Sequence, residues 1–252
     1  MKHKKYLIEN FKMIANSSNF LLMLIILLVM NIFMSFSGIF TFDYFKGIYS
    51  TYTNMFYNLI LFGVLLANTI NTVKFFDRNL SYIIRFNNKK DYIKELLKNV
   101  VFSNTILYSL NFLLLFIFIN IFLGNTISFT LWKNYTILNI VYITFYLLKS
   151  FILYQLLLFS IVCVQKLFNK IVMFLYSFLL VFPIIFHENK IQTIDSFKKM
   201  LLFPMDYLLK NEYANFTVEL SQSLIYITFW TIFCYVIFDV LKRHVRSVEK
   251  EI

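Results

Sequence analysis

From Phe20 to Phe40 the chain runs for 21 residues without a charge. An α-helix rises about 1.5 Å per residue, so about 20 apolar residues cross a hydrocarbon core of about 30 Å. Similar stretches recur, and spans are expected at 20–40, 51–73, 99–123, 138–165, 171–186 and 221–241. Lys149 alone interrupts the fourth, and the fifth is short with Pro183 near its end. The expected fold is an all-α integral membrane protein of six transmembrane helices, one domain over residues 1–252. Composition agrees: 60% of the residues are hydrophobic and 15% charged, against about 45–50% and about 25% in soluble domains. Disorder is excluded by the same hydrophobicity. With 4 Gly and 2 Pro there is no linker or collagen character. Lys2, Lys4, Lys5 and Lys12 before the first run give it a superficial likeness to a signal peptide. The apolar run is too long for one and no small-residue cleavage site follows, so it is read as a span.

Charge sets the expected orientation. With the N-terminus inside, segments 1–19, 74–98, 166–170 and 242–252 hold 4, 7, 2 and 4 basic residues, seventeen together. Segments 41–50, 124–134 and 187–219 hold 1, 1 and 4, six together. Such asymmetry is the positive-inside pattern and fixes both termini on the cytoplasmic face. Six acidic residues lie on each side and Asp239 within the last span, so the inside face carries the whole net charge of +11. Short basic loops beside spans match anionic lipid. They form no nucleic-acid recognition module, and no nucleic-acid partner is expected.

Three segments between spans carry information. Leu7, Phe11 and Ile14 fall at i, i+4 and i+7 among Lys4, Lys5 and Lys12, the pattern of an amphipathic helix lying in the interface. The loop Lys74–Lys98 is too long for a simple turn. It contains the compact run Asp77–Phe86, then Asn87, Asn88, Lys89 and Lys90, with Asn88 as N-cap of a helix that carries Asp91 and Glu95 near its start. The outer stretch His187–Glu219 is too apolar for a solvated loop and too charged to span. Short re-entrant or interfacial helices broken at Pro204 are expected there.

Polar residues inside spans are the candidate functional groups. On the second span, Thr51, Asn54, Asn58, Asn68, Thr69 and Thr72 share a stripe about 100° wide at 100° per residue, with Leu61 and Leu65 in its middle. An amide in hydrocarbon needs a partner. The stripe therefore either bonds neighbouring helices or lines a path. Lys149 stands near mid-membrane, where a lysine costs at least about 2.5 kcal/mol on insertion scales. Tyr142 and Tyr146 offer hydroxyls on its face, and it either meets an acidic group or marks a re-entrant outer half of its span. Asp239 is expected to pair with Lys242 or Arg243.

Several chemistries lack their residues. Cys163 and Cys234 lie in apolar runs and read as buried hydrophobes. No Cys/His cluster, HExxH or GxSxG occurs, so neither metal nor hydrolase chemistry is expected. Gly38, Gly47, Gly63 and Gly124 are the only glycines, and none precedes Lys-Ser or Lys-Thr. Without a phosphate-cradling Walker A loop the chain does not hydrolyse ATP, and no enzyme activity or cofactor is expected in it.

The order of elements resembles the type-2 ABC transporter permease family, over essentially the whole chain. That order is an interfacial N-terminal helix, two spans, a long basic cytoplasmic loop, three spans, amphipathic external helices and a last span. In length and in lacking an ATPase the chain is similar to the small bacterial permeases of peptide export or bacteriocin immunity. The resemblance implies a coupling helix over about Asp77–Arg85 and a return at Asn87–Asp91, so that Asp77, Arg78, Tyr82, Arg85, Lys89 and Lys90 meet a cytoplasmic ATPase. It implies ATP and magnesium in that partner, and a second permease copy or paralogue. It also implies a translocation path along Thr51, Asn54, Asn58, Asn68, Thr72 and Lys149 for a hydrophobic or amphipathic peptide or a lipid-like substrate. The place implied is a bacterial plasma membrane. The Gly and Pro often found in the family's coupling region are missing here. A non-transporting scaffold or sensor, or a passive channel, is the alternative.

Overall fold

The computed structural model describes residues 2–38, 51, 54–78, 89–123, 137–185 and 216–250. The described residues form seven helices and no strand: α1 Lys2–Ala15, α2 Ser18–Gly38, α3 Met55–Arg78, α4 Lys89–Leu123, α5 Ile137–Leu167, α6 Lys170–Ile185 and α7 Phe216–Lys250. Five of them, α2, α3, α4, α5 and α7, are long and apolar enough to cross a membrane. The sixth apolar helix, α6, has 16 residues and extends roughly 24 Å, shorter than the hydrocarbon core. The expected outer helices of 187–219 lie outside the described residues, apart from the start of α7.

α2 illustrates the physics of a lipid-facing helix. Phe20, Met23, Leu27, Met30 and Met34 form a buried stripe, while Leu21, Leu22, Ile25, Leu28 and Val29 on the other side are exposed. A helix in water would carry charge on that second side. Phe33, Ile171 and Phe174 are each about 70% exposed. Exposed apolar surface on this scale marks contact with hydrocarbon.

Two helices organise the bundle. α4 packs against α1, α2, α3, α5 and α7, and α5 against α3, α4, α6 and α7. A long core joins Leu61 and Leu65 of α3, Leu107 and Leu115 of α4, Leu153 and Leu157 of α5, and Trp230 of α7. A second core at one end gathers Val73 and Phe76 of α3, Leu96 and Val100 of α4, Val162 of α5 and Leu241 of α7. That end carries Lys74, Arg78, Lys94, Lys98, Lys166 and Lys242, so the residues that drive the sequence asymmetry meet in space.

Helix starts follow capping chemistry. The Phe20 amide donates to Ser17 Oγ at 3.3 Å and the Val172 amide to Asn169 Oδ1 at 2.8 Å, each satisfying an orphan donor of a first turn. Asn54 Oδ1 likewise accepts from the Tyr57 amide at 3.1 Å. α3 therefore begins at Met55 rather than at the expected residue 51, because an asparagine competes for the backbone and favours the cap. Replacing Asn54 with alanine is expected to cost about 1 kcal/mol, measured as a lowered midpoint of unfolding in mixed micelles. α4 and α7 extend beyond their expected spans, at 35 residues each. Helix propensity continues through Lys89–Lys98 whatever the depth of the membrane.

α1 packs on the bundle by one face. Ile14 is buried, Phe11 meets Phe20 and Phe102 edge-on, and Asn10 Nδ2 donates to Asn99 Oδ1 at 3.2 Å across to α4.

Candidate functional site

The stripe on α3 faces the interior of its own chain. Asn58, Asn68, Thr69 and Thr72 are buried, together with Leu61 and Leu65 between them. Asn68 Nδ2 donates to Asn104 Oδ1 at 2.8 Å and to Ser103 Oγ at 3.0 Å. Asn104 Nδ2 returns a bond to Thr69 Oγ1 at 2.8 Å. The Thr72 and Ser103 hydroxyls lie 3.4 Å apart. One turn of α3 is thus zipped to one turn of α4 by reciprocal amide and hydroxyl bonds. Nearer the other end, the Tyr154 hydroxyl of α5 donates to Asn58 Oδ1.

A second polar chain crosses three helices. Asn31 of α2 donates to Asn111 Oδ1 of α4 at 2.8 Å, and Asn111 Nδ2 donates to the Tyr57 hydroxyl of α3 at 2.6 Å. Tyr108 of α4 shares a short hydrogen bond with Ser150 of α5 and donates to the Leu147 carbonyl at 3.1 Å. In hydrocarbon such bonds average about 0.6 kcal/mol and reach about 1.7. Leaving a buried group unpaired costs about 1–3 kcal/mol. Together they fix how each helix is rotated about its axis.

Of the candidates on the second span, Asn58, Asn68 and Thr72 converge on these bonds. Asn54 is engaged as the cap, and Thr51 is buried ahead of it. The α4 residues that bond neighbouring helices, Asn99 to α1, Ser103 and Asn104 to α3, and Asn111 to α2 and α3, lie outside the stripe read from the sequence. Their signal was present: four polar residues within a span each need a partner.

Lys149 is 2% exposed, and α5 continues through it without a break. Its ammonium lies 4.9 Å from the centroid of the Tyr146 ring, a cation–π contact on the ring face. The Tyr142 side chain lies outside the described residues.

At the basic end, Asp77 joins three helices. Its Oδ1 accepts from the Tyr92 hydroxyl of α4 at 2.7 Å and is paired with the Lys166 ammonium of α5. The Phe76 and Tyr92 rings pack 6.3 Å apart, and Lys166 stands 5.6 Å from the Tyr92 ring. Arg78, the last residue of α3, is exposed. Tyr82 and Arg85 lie outside the described residues. Lys89 and Lys90 open α4, and their side chains lie outside the description. Asp239 pairs with Arg243 one turn on, at 2.8 Å.

Cys163 and Cys234 are buried and free, and the Cys234 thiol donates to the Leu156 carbonyl at 3.2 Å. Among the described residues, no group of three His, Cys, Asp or Glu side chains is placed to hold a metal ion. No family model, curated protein or solved structure matches the chain.

Proposed function

We propose that the chain is the permease subunit of an ATP-binding cassette exporter. It spans the membrane six times with both termini cytoplasmic, and a separate ATPase that binds ATP and magnesium drives it. One observation carries this reading. Segment 79–88 leaves α3 just after Asp77, and that carboxylate holds α4 through Tyr92 and α5 through Lys166. A push on the segment is thereby delivered to three spans at once. The length of α4 supports it: 35 residues extend roughly 52 Å, well beyond a core of about 30 Å, so its Lys89 end projects beyond the hydrocarbon. Asp77, Arg78, Tyr82, Arg85, Lys89 and Lys90 are the proposed coupling residues.

The proposed cargo is a hydrophobic or amphipathic peptide, such as a bacteriocin, toxin or antimicrobial peptide, moved out of the membrane or cell. Two permease copies, or this chain and a paralogue, would enclose the path, with Thr51, Asn54, Asn58, Asn68, Thr72 and Lys149 as its candidate contacts. The proposed location is a bacterial plasma membrane.

The test is co-purification with an ABC ATPase encoded beside this chain, followed by hydrolysis and flux measurements in liposomes. Tyr82→Ala with Arg85→Ala is expected to leave basal hydrolysis intact. It should abolish substrate stimulation, a loss of roughly 5–150-fold for a coupling of about 1–3 kcal/mol. Undiminished stimulation in that variant would remove the docking assignment.

A second reading, a multi-pass scaffold without transport, is favoured by the way the α3 stripe spends its polar groups on α4 and α5. It predicts no neighbouring ATPase gene and no ATP-dependent flux. A passive channel predicts conductance without nucleotide.

A further inference from the structure

Between α2 and α3 a groove of about 480 Å³ opens on the outer surface of the bundle. Leu22, Ile26, Ile60 and Ile70 form its apolar sides, and Gly63 and Ala67 leave room along its floor. A Cβ built on Gly63 would meet no heavy atom within 4 Å, so the space belongs to the groove and not to the packing of the bundle. From Ile60 to Ile70 the track runs roughly 15 Å along α3, the depth of one leaflet of a core about 30 Å thick.

The groove changes character at the basic end of the bundle. There it is lined by Asn19, Asn71 and Lys74. The two amides are held together at 3.4 Å, and Asn71 Nδ2 donates to Ser17 Oγ at 3.2 Å. Lys74 is exposed, and Arg78 stands one turn further on the same face of α3, also exposed. Neither makes an ion pair among the described residues, whereas the intervening Asp77 is taken by Lys166 and Tyr92. An apolar track one leaflet deep thus ends at two cations and a pair of fixed amides.

We propose that this groove binds an anionic phospholipid, one acyl chain lying along Gly63 and Ala67 and the phosphate held at Lys74. Charge favours this occupant over a second copy of the chain. In a symmetric pair whose axis follows the membrane normal, equal residues meet at equal depth. Lys74 and Arg78 of one copy would then face Lys74 and Arg78 of the other, and like charges repel. A lipid phosphate reverses the sign of that contact, as expected for basic pockets on a cytoplasmic face. The inference rests on the membrane class alone and is independent of the permease proposal.

The purified protein, extracted into detergent and titrated with phosphatidylglycerol or phosphatidylcholine, is examined by native mass spectrometry. The unaltered chain is expected to retain phosphatidylglycerol preferentially. Gly63→Leu places a side chain in the groove where a Cβ meets no heavy atom within 4 Å, and is expected to weaken that adduct at least about tenfold, close to 1.4 kcal/mol. Ala67→Leu should act likewise and stands in if the first variant folds poorly. Lys74→Gln is expected to keep the acyl site yet lower the preference for phosphatidylglycerol about fivefold, the effect of one surface cation at about 1 kcal/mol. Adducts that persist in both groove variants would overturn the proposal, as would an unchanged preference in Lys74→Gln. Loss of a dimer in Gly63→Leu with the lipid adduct retained would instead assign the face to a second copy.

Discussion

Replacing Asn104 with leucine is expected to destabilise the bundle by about 1–3 kcal/mol. The side chain is fully buried, accepts from Asn68 and donates to Thr69. Two interhelical bonds are lost at about 0.6–1.7 kcal/mol each. The loss is cushioned because Asn68 still donates to Ser103, and Thr69 to the Leu65 carbonyl. Removing both amides, as Asn68→Leu with Asn104→Leu, should cost less than the two single changes added together. A partner left unpaired is penalised more than a pair replaced by apolar groups, and contacting residues are not additive. Asn19→Ala, at an exposed and long contact, should stay within about 0.5 kcal/mol. Reversible unfolding in mixed micelles measures all four. An Asn104→Leu variant as stable as the parent would mean that the α3–α4 zipper does not hold the helices.

Lys149→Met is expected to stabilise the chain and, under the proposed transport function, to test whether the ammonium acts on cargo. A lysine near the centre of a span costs about 2.5–3.5 kcal/mol on insertion scales. Methionine keeps the length of the stem, so the contact with Tyr146 is retained in shape although its cation–π part is lost. The expected result is a higher unfolding midpoint and, if the ammonium meets an acidic group on the cargo, reduced flux of that cargo. A gain in stability with flux unchanged would leave Lys149 without a transport role. A fall in stability would show that its contacts inside the bundle outweigh its desolvation.

The basic end shows what was legible from order along the chain. Lys74, Arg78, Lys94, Lys98, Lys166 and Lys242 were placed on one face by counting loops alone, and α3, α4, α5 and α7 bring them together there. Of the two neighbours expected for Asp239, Lys242 and Arg243, the second answers it one turn away, because an i,i+4 contact is local to a helix. α5 runs unbroken through Lys149. The candidate path on the second span was legible as a stripe but not as a set of contacts. Asn54 became a cap, and the Tyr154 hydroxyl that answers Asn58 and the Asn104 amide that answers Asn68 come from other helices.

The sequence by itself pointed to a multi-pass helical membrane protein, and among the described residues five helices are long and apolar enough to span. Those properties depend on length and composition along one helix at a time. Only the tertiary structure decided which way each helix turns. In lipid the outer face of a helix is as apolar as the inner one, as Leu22 and Met23 of α2 show, so hydrophobicity carries no sense of inside. That sense comes from amides seeking partners. Asn68 finding Asn104, and Asn31 finding Asn111, are choices between helices that no single segment can make for itself.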